Sequence, residues 1–250
     1  MARGSPEASV GSWEGAMKID TVGVIGAGLM GTGIAQVCAA AGLRVQLRDV
    51  NEAALHRARE AIDSSLQRSA SKGKLTASQK LEVSALITYG TDIAILGACD
   101  FIIEAATENV QVKLAILKEV EKLAKPGTVI ASNTSSVSIT KLAAALSSPQ
   151  RLVGMHFFNP VPAMALVEII RGIQTSVETF EATEELSKRI GKTPISVRNA
   201  PGFVVNRILV PMLNEAVFVL QEGLATREDI DAGMKLGTGQ PMGPLVAGDN

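Results

Sequence analysis

The chain has 250 residues, 46% of them hydrophobic and 20% charged, enough for a sizeable core in one or two domains. A net charge of −1 gives no basic field to draw it to nucleic acid or an anionic membrane, and no run is long and apolar enough to span a bilayer. Two histidines, His56 and His156, exclude a multi-histidine metal site within one chain, and nothing points to a carboxylate one.

Residues 1–17 are rich in Gly, Ser, Ala and Glu without periodicity, and are expected to form a flexible leader that lacks the apolar core of a secretory signal. Thr21–Ile25 reads as a buried strand and Thr32–Ala41 as a small-residue helix. Between them Gly26, Gly28 and Gly31 form a GxGxxG turn. The first glycine permits the tight turn, the second lets backbone approach a pyrophosphate, and the third lets helix and strand pack closely. The helix then directs its positive end at the phosphates. A second strand, Leu43–Arg48, ends at Asp49, an acid placed to accept hydrogen bonds from an adenosine ribose and to repel a 2′-phosphate. The acid favours NAD over NADP, and Arg48 beside it complicates that preference by offering a cation to the same phosphate. The competing reading is a glycine turn of another α/β protein, with Asp49 capping the next helix.

Residues 51–72 carry Leu55, Ala58, Ile62 and Leu66 at helical spacing, and a second helical stretch covers Ala77 to Leu86. Arg57, Arg59, Arg68, Lys72, Lys74 and Lys80 cluster on this pair, either as a solvated face or as a receiver of phosphates. Asp100–Glu104 reads as a buried strand. Val110–Leu123 reads as an amphipathic helix with Val112, Ile116, Val120 and Leu123 on one side. After Pro126-Gly127 comes strand Thr128–Ser132, then the polar run Ser132-Asn133-Thr134-Ser135-Ser136, where Ser136 or Ser138 can cap a following helix. This alternation predicts a doubly wound parallel sheet.

Strands are expected at Leu152–Phe157 and Ala165–Ile170, a helix at Val177–Ile190 and a strand at Ile195–Arg198. His156 ends the first of these strands, and Glu168 lies 12 residues on among apolar neighbours. Antiparallel pairing through the Asn159–Met164 connection places the two side by side, where the carboxylate holds one imidazole tautomer and stabilises the imidazolium. The bland alternatives are a satisfied core histidine and a solvated edge acid. Pro201-Gly202 opens a long apolar helix, Phe203–Gln221, followed by another at Arg227–Lys235. Asn206 in its first turn either finds a buried partner or is solvated. The composition turns all-helical near residue 200, which gives a nucleotide-binding domain at 18–200 and a helical domain at 201–250. Cys38 and Cys99 lie in apolar segments without CxxC spacing, consistent with a reducing compartment and a cytoplasmic location.

Taken in order, Gly26-x-Gly28-x-x-Gly31, Glu104-Ala105-Ala106-x-Glu108, Ser132-Asn133-Thr134-Ser135-Ser136, His156-Phe157-Phe158-Asn159-Pro160, Pro201-Gly202-Phe203-x-x-Asn206-Arg207 and Pro241-Met242-Gly243-Pro244 resemble the short-chain L-3-hydroxyacyl-CoA dehydrogenase family over about residues 18–245. The resemblance implies a Rossmann-type domain followed by a smaller dimerising helical domain, NAD as cofactor and an acyl-CoA thioester as substrate. It assigns cofactor contacts to Gly26, Gly28, Leu29, Met30 and Gly31, the ribose to Asp49, and the nicotinamide side to Glu108, Lys113 and Asn133. It makes His156 the general base and Glu168 its orienting partner. Ser135 and Asn206 fall around the reacting oxygen and the thioester, and Ser65 and Lys72 at coenzyme A. A related β-hydroxyacid or sugar-acid dehydrogenase, or a non-catalytic NAD-binding protein, is the competing expectation. Leu245–Asn250 departs from the family pattern, so the helical domain is expected to be incomplete, with Val210, Met212, Leu213, Val217 and Leu220 exposed.

Overall fold

The computed structural model describes residues 17–248. The leader expected at the N-terminus lies outside them apart from Met17, which packs against the core. The described chain runs β1 (Thr21–Ile25), α1 (Leu29–Ala40), β2 (Arg44–Arg48), α2 (Glu52–Ser71), α3 (Ala77–Ala85), β3 (Ile87–Gly90), β4 (Phe101–Glu104), α4 (Val110–Leu123), β5 (Val129–Ser132), α5 (Ile139–Ala143), β6 (Leu152–Phe157), β7 (Leu166–Arg171), α6 (Val177–Arg189), β8 (Thr193–Arg198), α7 (Val205–Gln221), α8 (Arg227–Thr238) and α9 (Pro244–Gly248).

The eight strands form one sheet in the order β3-β2-β1-β4-β5-β6-β7-β8. Every pair is parallel except β6–β7, where the register sets His156 against Glu168. The strand order reverses between β1 and β4, the switch point at whose carboxyl ends doubly wound sheets bind ligands. One apolar cluster, including Ile34, Leu43, Val45, Leu55 and Ile62, unites α1 and α2 with the sheet. A second, including Leu96, Ile102, Leu117, Val120 and Leu142, joins α4 and α5 to it. Ala216, Ile230 and Leu245 make a separate small cluster among α7, α8 and α9.

Local chemistry explains the boundaries. Asn51 caps α2 by accepting from the Ala53 and Ala54 amides, and Thr76 with Gln79 closes a capping box on α3. Ser138 caps α5.

Three expectations need correction. The first helix begins at Leu29, three residues earlier than expected, because Gly28 already has extended geometry suited to an N-cap. Strand β3 was not anticipated; it is four residues long and only Ile87 in it is buried. On α4 the buried face is Lys113, Leu117 and Val120, whereas Val112 and Leu123 are exposed. The face is rotated because the Lys113 ammonium finds a carboxylate inside the fold. On α7 only Ala216 is buried; Val210, Val217 and Leu220 are exposed as expected, with Met212 and Leu213 half-buried.

Candidate active site

The polar groups singled out in the sequence gather chiefly at the carboxyl ends of β1, β2, β4, β5 and β6. At β1, Gly26 takes φ +99°, a conformation closed to most side chains, and a Cβ there would lie 2.6 Å from the Ala105 carbonyl. A Cβ on Gly31 would run into the Gly26 carbonyl itself, whereas Gly28 faces open space. Helix α1 has no side-chain cap and no acid in its first turn, so its leading amides are left for an anion. Leu29 is exposed there and Met30 is half-buried against the core. Asp49 folds over the turn: Oδ2 accepts from the Ala27 amide at 2.7 Å and Oδ1 from the Asn51 amide at 2.9 Å. Arg48 Nε donates instead to the Thr91 carbonyl at 3.1 Å. A glycine cradle, an uncapped helix start and an acid at the end of β2 fit a dinucleotide.

Glu104 at the end of β4 is fully buried and holds three partners. Its Oε2 accepts from Lys113 Nζ at 2.7 Å and Ser132 Oγ at 2.7 Å, and its Oε1 from the Ala106 amide at 2.9 Å. Lys113 is therefore a buried member of an ion pair. Its ammonium is 3.9 Å from Glu108, whose carboxylate accepts from Thr134 Oγ1 at 2.6 Å, the Ser135 amide at 2.8 Å and Ser135 Oγ at 3.2 Å. Asn133 Oδ1 accepts from the Phe157 amide at 2.9 Å, which fixes the chain just after His156.

His156 and Glu168 meet inside the fold. Nδ1 is 2.8 Å from Glu168 Oε2, the carboxylate is fully buried and the imidazole nearly so. The second oxygen, Oε1, accepts from the Val204 and Val205 amides, both at 3.0 Å. Phe158 and Phe203 tilt against the imidazole at centroid distances of 4.6 and 5.6 Å. With Nδ1 donating to the carboxylate, Nε2 is the nitrogen left to take a proton. Asn206 is half-buried one residue past the amides that grip Glu168. Ser65 and Lys72 share no hydrogen bond with this cluster among the described residues: Ser65 Oγ accepts from Gln36 Nε2 at 2.9 Å, and Lys72 is exposed at the end of α2.

Sequence reasoning passed over three contributors. Glu104 had a signal, an acid ending an otherwise apolar strand. Lys192 also had one; its buried ammonium donates to the Val161 and Met164 carbonyls and so ties down the connection between β6 and β7. The amides of Val204 and Val205 had none, since backbone groups carry no sequence mark. Cys38 and Cys99 are buried, and burial pushes both thiols up to about 12, so neither is a nucleophile. Among the described residues no group of His, Cys, Asp and Glu is placed to hold a metal ion, and no helix is long and apolar enough to cross a membrane.

The chain matches a known family from residue 21 onward. The family described as 3-hydroxyacyl-CoA dehydrogenase, NAD binding domain, matches residues 21–200, and its C-terminal domain matches residues 202–250. The chain belongs to the 3-hydroxyacyl-CoA dehydrogenase family. It is 48% identical over 227 residues to a probable 3-hydroxybutyryl-CoA dehydrogenase of Deinococcus radiodurans, covering 91% of this chain and 81% of that one. A 3-hydroxybutyryl-CoA dehydrogenase of Clostridioides difficile is 45% identical, covering 90% and 80%. The crystal structure of (S)-3-hydroxybutyryl-CoA dehydrogenase from Ralstonia eutropha superposes with a TM-score of 0.91 at 55% identity, covering 93% of this chain and 82% of that one. As a member of this family the chain is an NAD-dependent oxidoreductase of 3-hydroxyacyl-CoA.

Proposed function

We propose that the chain interconverts an (S)-3-hydroxyacyl-CoA and its 3-ketoacyl-CoA with His156 as the general base and acid. The observation that carries this reading is the buried 2.8 Å contact of His156 Nδ1 with Glu168, which leaves Nε2 as the proton acceptor. In the oxidative direction Nε2 takes the proton of the 3-hydroxyl, and Glu168 stabilises the imidazolium that results. Ser135 and Asn206 orient the reacting oxygen and the thioester. NAD, which the glycine turn and Asp49 would hold, would supply the acceptor for the hydride that leaves C3. In the reverse direction His156 returns its proton to the forming hydroxyl. Lys113, Glu108 and Asn133 would line the nicotinamide side of the bound cofactor. Ser65 and Lys72 meet the coenzyme A moiety at the edge of the basic helix pair.

We take residues 18–200 and 201–250 as the two domains, in keeping with the separate apolar cluster of α7 to α9. The exposed apolar residues of α7 support assembly with a second copy, and the absence of CxxC spacing supports a reducing, cytoplasmic setting. The test is oxidation of NADH with acetoacetyl-CoA by the 250-residue chain and by His156→Gln. Turnover that falls by about 10²–10⁴ in the variant, with NADH still bound, supports the assignment. Near-normal turnover removes His156 from the chemistry.

A further inference from the structure

Glu168 is the cap of α7. That helix has no side-chain cap at its own N-terminus, and the carboxylate that satisfies its Val204 and Val205 amides comes from β7, 36 and 37 residues earlier in the chain. Two successive left-handed residues, Gly202 at φ +73° and Phe203 at φ +49°, bend the chain so that both amides converge on Oε1. A buried phenylalanine at positive φ is uncommon. The same bend lays the Phe203 ring against the imidazole, tilted by 60°. The turn before α7 therefore touches both members of the pair. It fixes one oxygen of Glu168, which leaves the other for His156, and it walls the histidine ring.

We infer that Gly202 and Phe203 are positioning residues for the His156–Glu168 pair, so that the turn leading into α7 sets the orientation of the base. The inference rests on reading His156 as that base. A Cβ on Gly202 would lie 3.0 Å from the Arg207 nitrogen and 3.2 Å from its Cα, so the first turn of α7, which continues from the two amides on Oε1, has to shift by a few tenths of an ångström. Gly223, at the other end of the same helix, has φ +69° and open space where a Cβ would go. Alanine at either glycine imposes a similar left-handed cost on α7, but only Gly202→Ala disturbs Glu168.

The experiment compares Gly202→Ala, Gly223→Ala and Phe203→Leu in the full chain. It measures kcat with acetoacetyl-CoA, NADH affinity, melting temperature and the downfield proton resonance of the His156 Nδ1–H, assigned by its loss in His156→Gln. Gly202→Ala is expected to lower kcat by about tenfold to a hundredfold, to shift or broaden the resonance and to leave NADH affinity unchanged. Gly223→Ala is expected to lose similar stability while keeping kcat and the resonance. Phe203→Leu keeps the apolar burial and is expected to lower kcat less than Gly202→Ala while still moving the resonance. Equal losses of kcat in the two glycine variants, or an unmoved resonance in Gly202→Ala, overturn the inference. Should Gly202→Ala fail to fold, Phe203→Leu decides, and an unchanged resonance there overturns it as well. The resonance is read without turnover, so a chain that proves inactive sinks the functional reading while the positioning question is still answered.

Discussion

His156 Nδ1 and Glu168 Oε2 stand 2.8 Å apart across the antiparallel pair β6–β7, the one break in an otherwise parallel sheet. The antiparallel turn-back puts a residue from the end of β6 directly opposite one on the next strand, both buried. A parallel connection would have separated them by a crossover.

Glu168→Gln tests what the carboxylate contributes beyond shape. The amide can still accept from Val204 and Val205 through oxygen, but it then presents an NH₂ to His156 Nδ1. That favours the tautomer with its proton on Nε2, the nitrogen that must accept one. The expected result is a fold that persists, a stability loss of about 1–3 kcal/mol from weakened capping of α7, and a drop in kcat on the order of 10⁴. Steady-state kinetics with denaturant melts separates the two effects, and a variant with full kcat removes the tautomer argument.

Lys113 and Glu104 form a buried ion pair in which each partner is costly alone. Lys113 lies in the first turn of α4, where the helix dipole disfavours a cation, so Glu104 has to offset both dipole and burial. Lys113→Met is expected to destabilise the fold by about 3–5 kcal/mol, because it strands a buried carboxylate. Adding Glu104→Gln should recover part of that loss, since Gln still accepts from Ser132 and carries no charge. Urea unfolding of the two single variants and the double variant gives the coupling directly, and strictly additive losses count against it.

Gly31 and Gly28 of the cofactor turn should respond differently to a methyl. Gly31→Ala drives a methyl into the Gly26 carbonyl and is expected to lower the melting temperature together with NADH affinity. Gly28→Ala meets open space in the free protein, so the melting temperature should hold. Its methyl would stand where a pyrophosphate has to approach the backbone, so NADH affinity should fall by about tenfold or more. Unchanged affinity in Gly28→Ala would mean that the phosphates do not pass over this turn.

Much of this is legible in the sequence, and the reasons are local. The first βαβ unit announces itself through glycines whose steric demands nothing else meets. The facing of His156 and Glu168 follows from two apolar strands and a short proline-bounded connection. What escaped was non-local or masked by composition. Strand β3 is too short and too exposed to show an apolar pattern. The inner face of α4 was misread because a hydrophobic stripe ranks Val112 and Leu123 above Lys113, and only the buried Glu104 reverses that order. The grip of α7 on Glu168 joins backbone groups to a side chain on another strand, which no periodicity records.

Asp100 gives the fold a pH dependence of known sign. Burial on its own would raise its carboxyl pKa; Lys125 at 2.6 Å and the Asp20 and Thr21 amides, each at 2.9 Å, outweigh that and hold it below the usual carboxylate value. A carboxyl whose folded value lies below its unfolded value stabilises the fold fully above the unfolded value of about 3.9. The contribution is lost as the pH falls through the folded value, because protonation then favours the unfolded chain. Asp100 ties the start of β1 to the start of β4 and, through Lys125, to the segment that follows α4. Asp100→Asn keeps the shape and removes the charge. It is expected to be less stable than the parent at pH 7, with the gap narrowing as the pH drops below about 4 and closing at the most acidic end. Denaturant midpoints of both proteins across that range check it, and a gap that stays constant with pH assigns the role of Asp100 to hydrogen bonding alone.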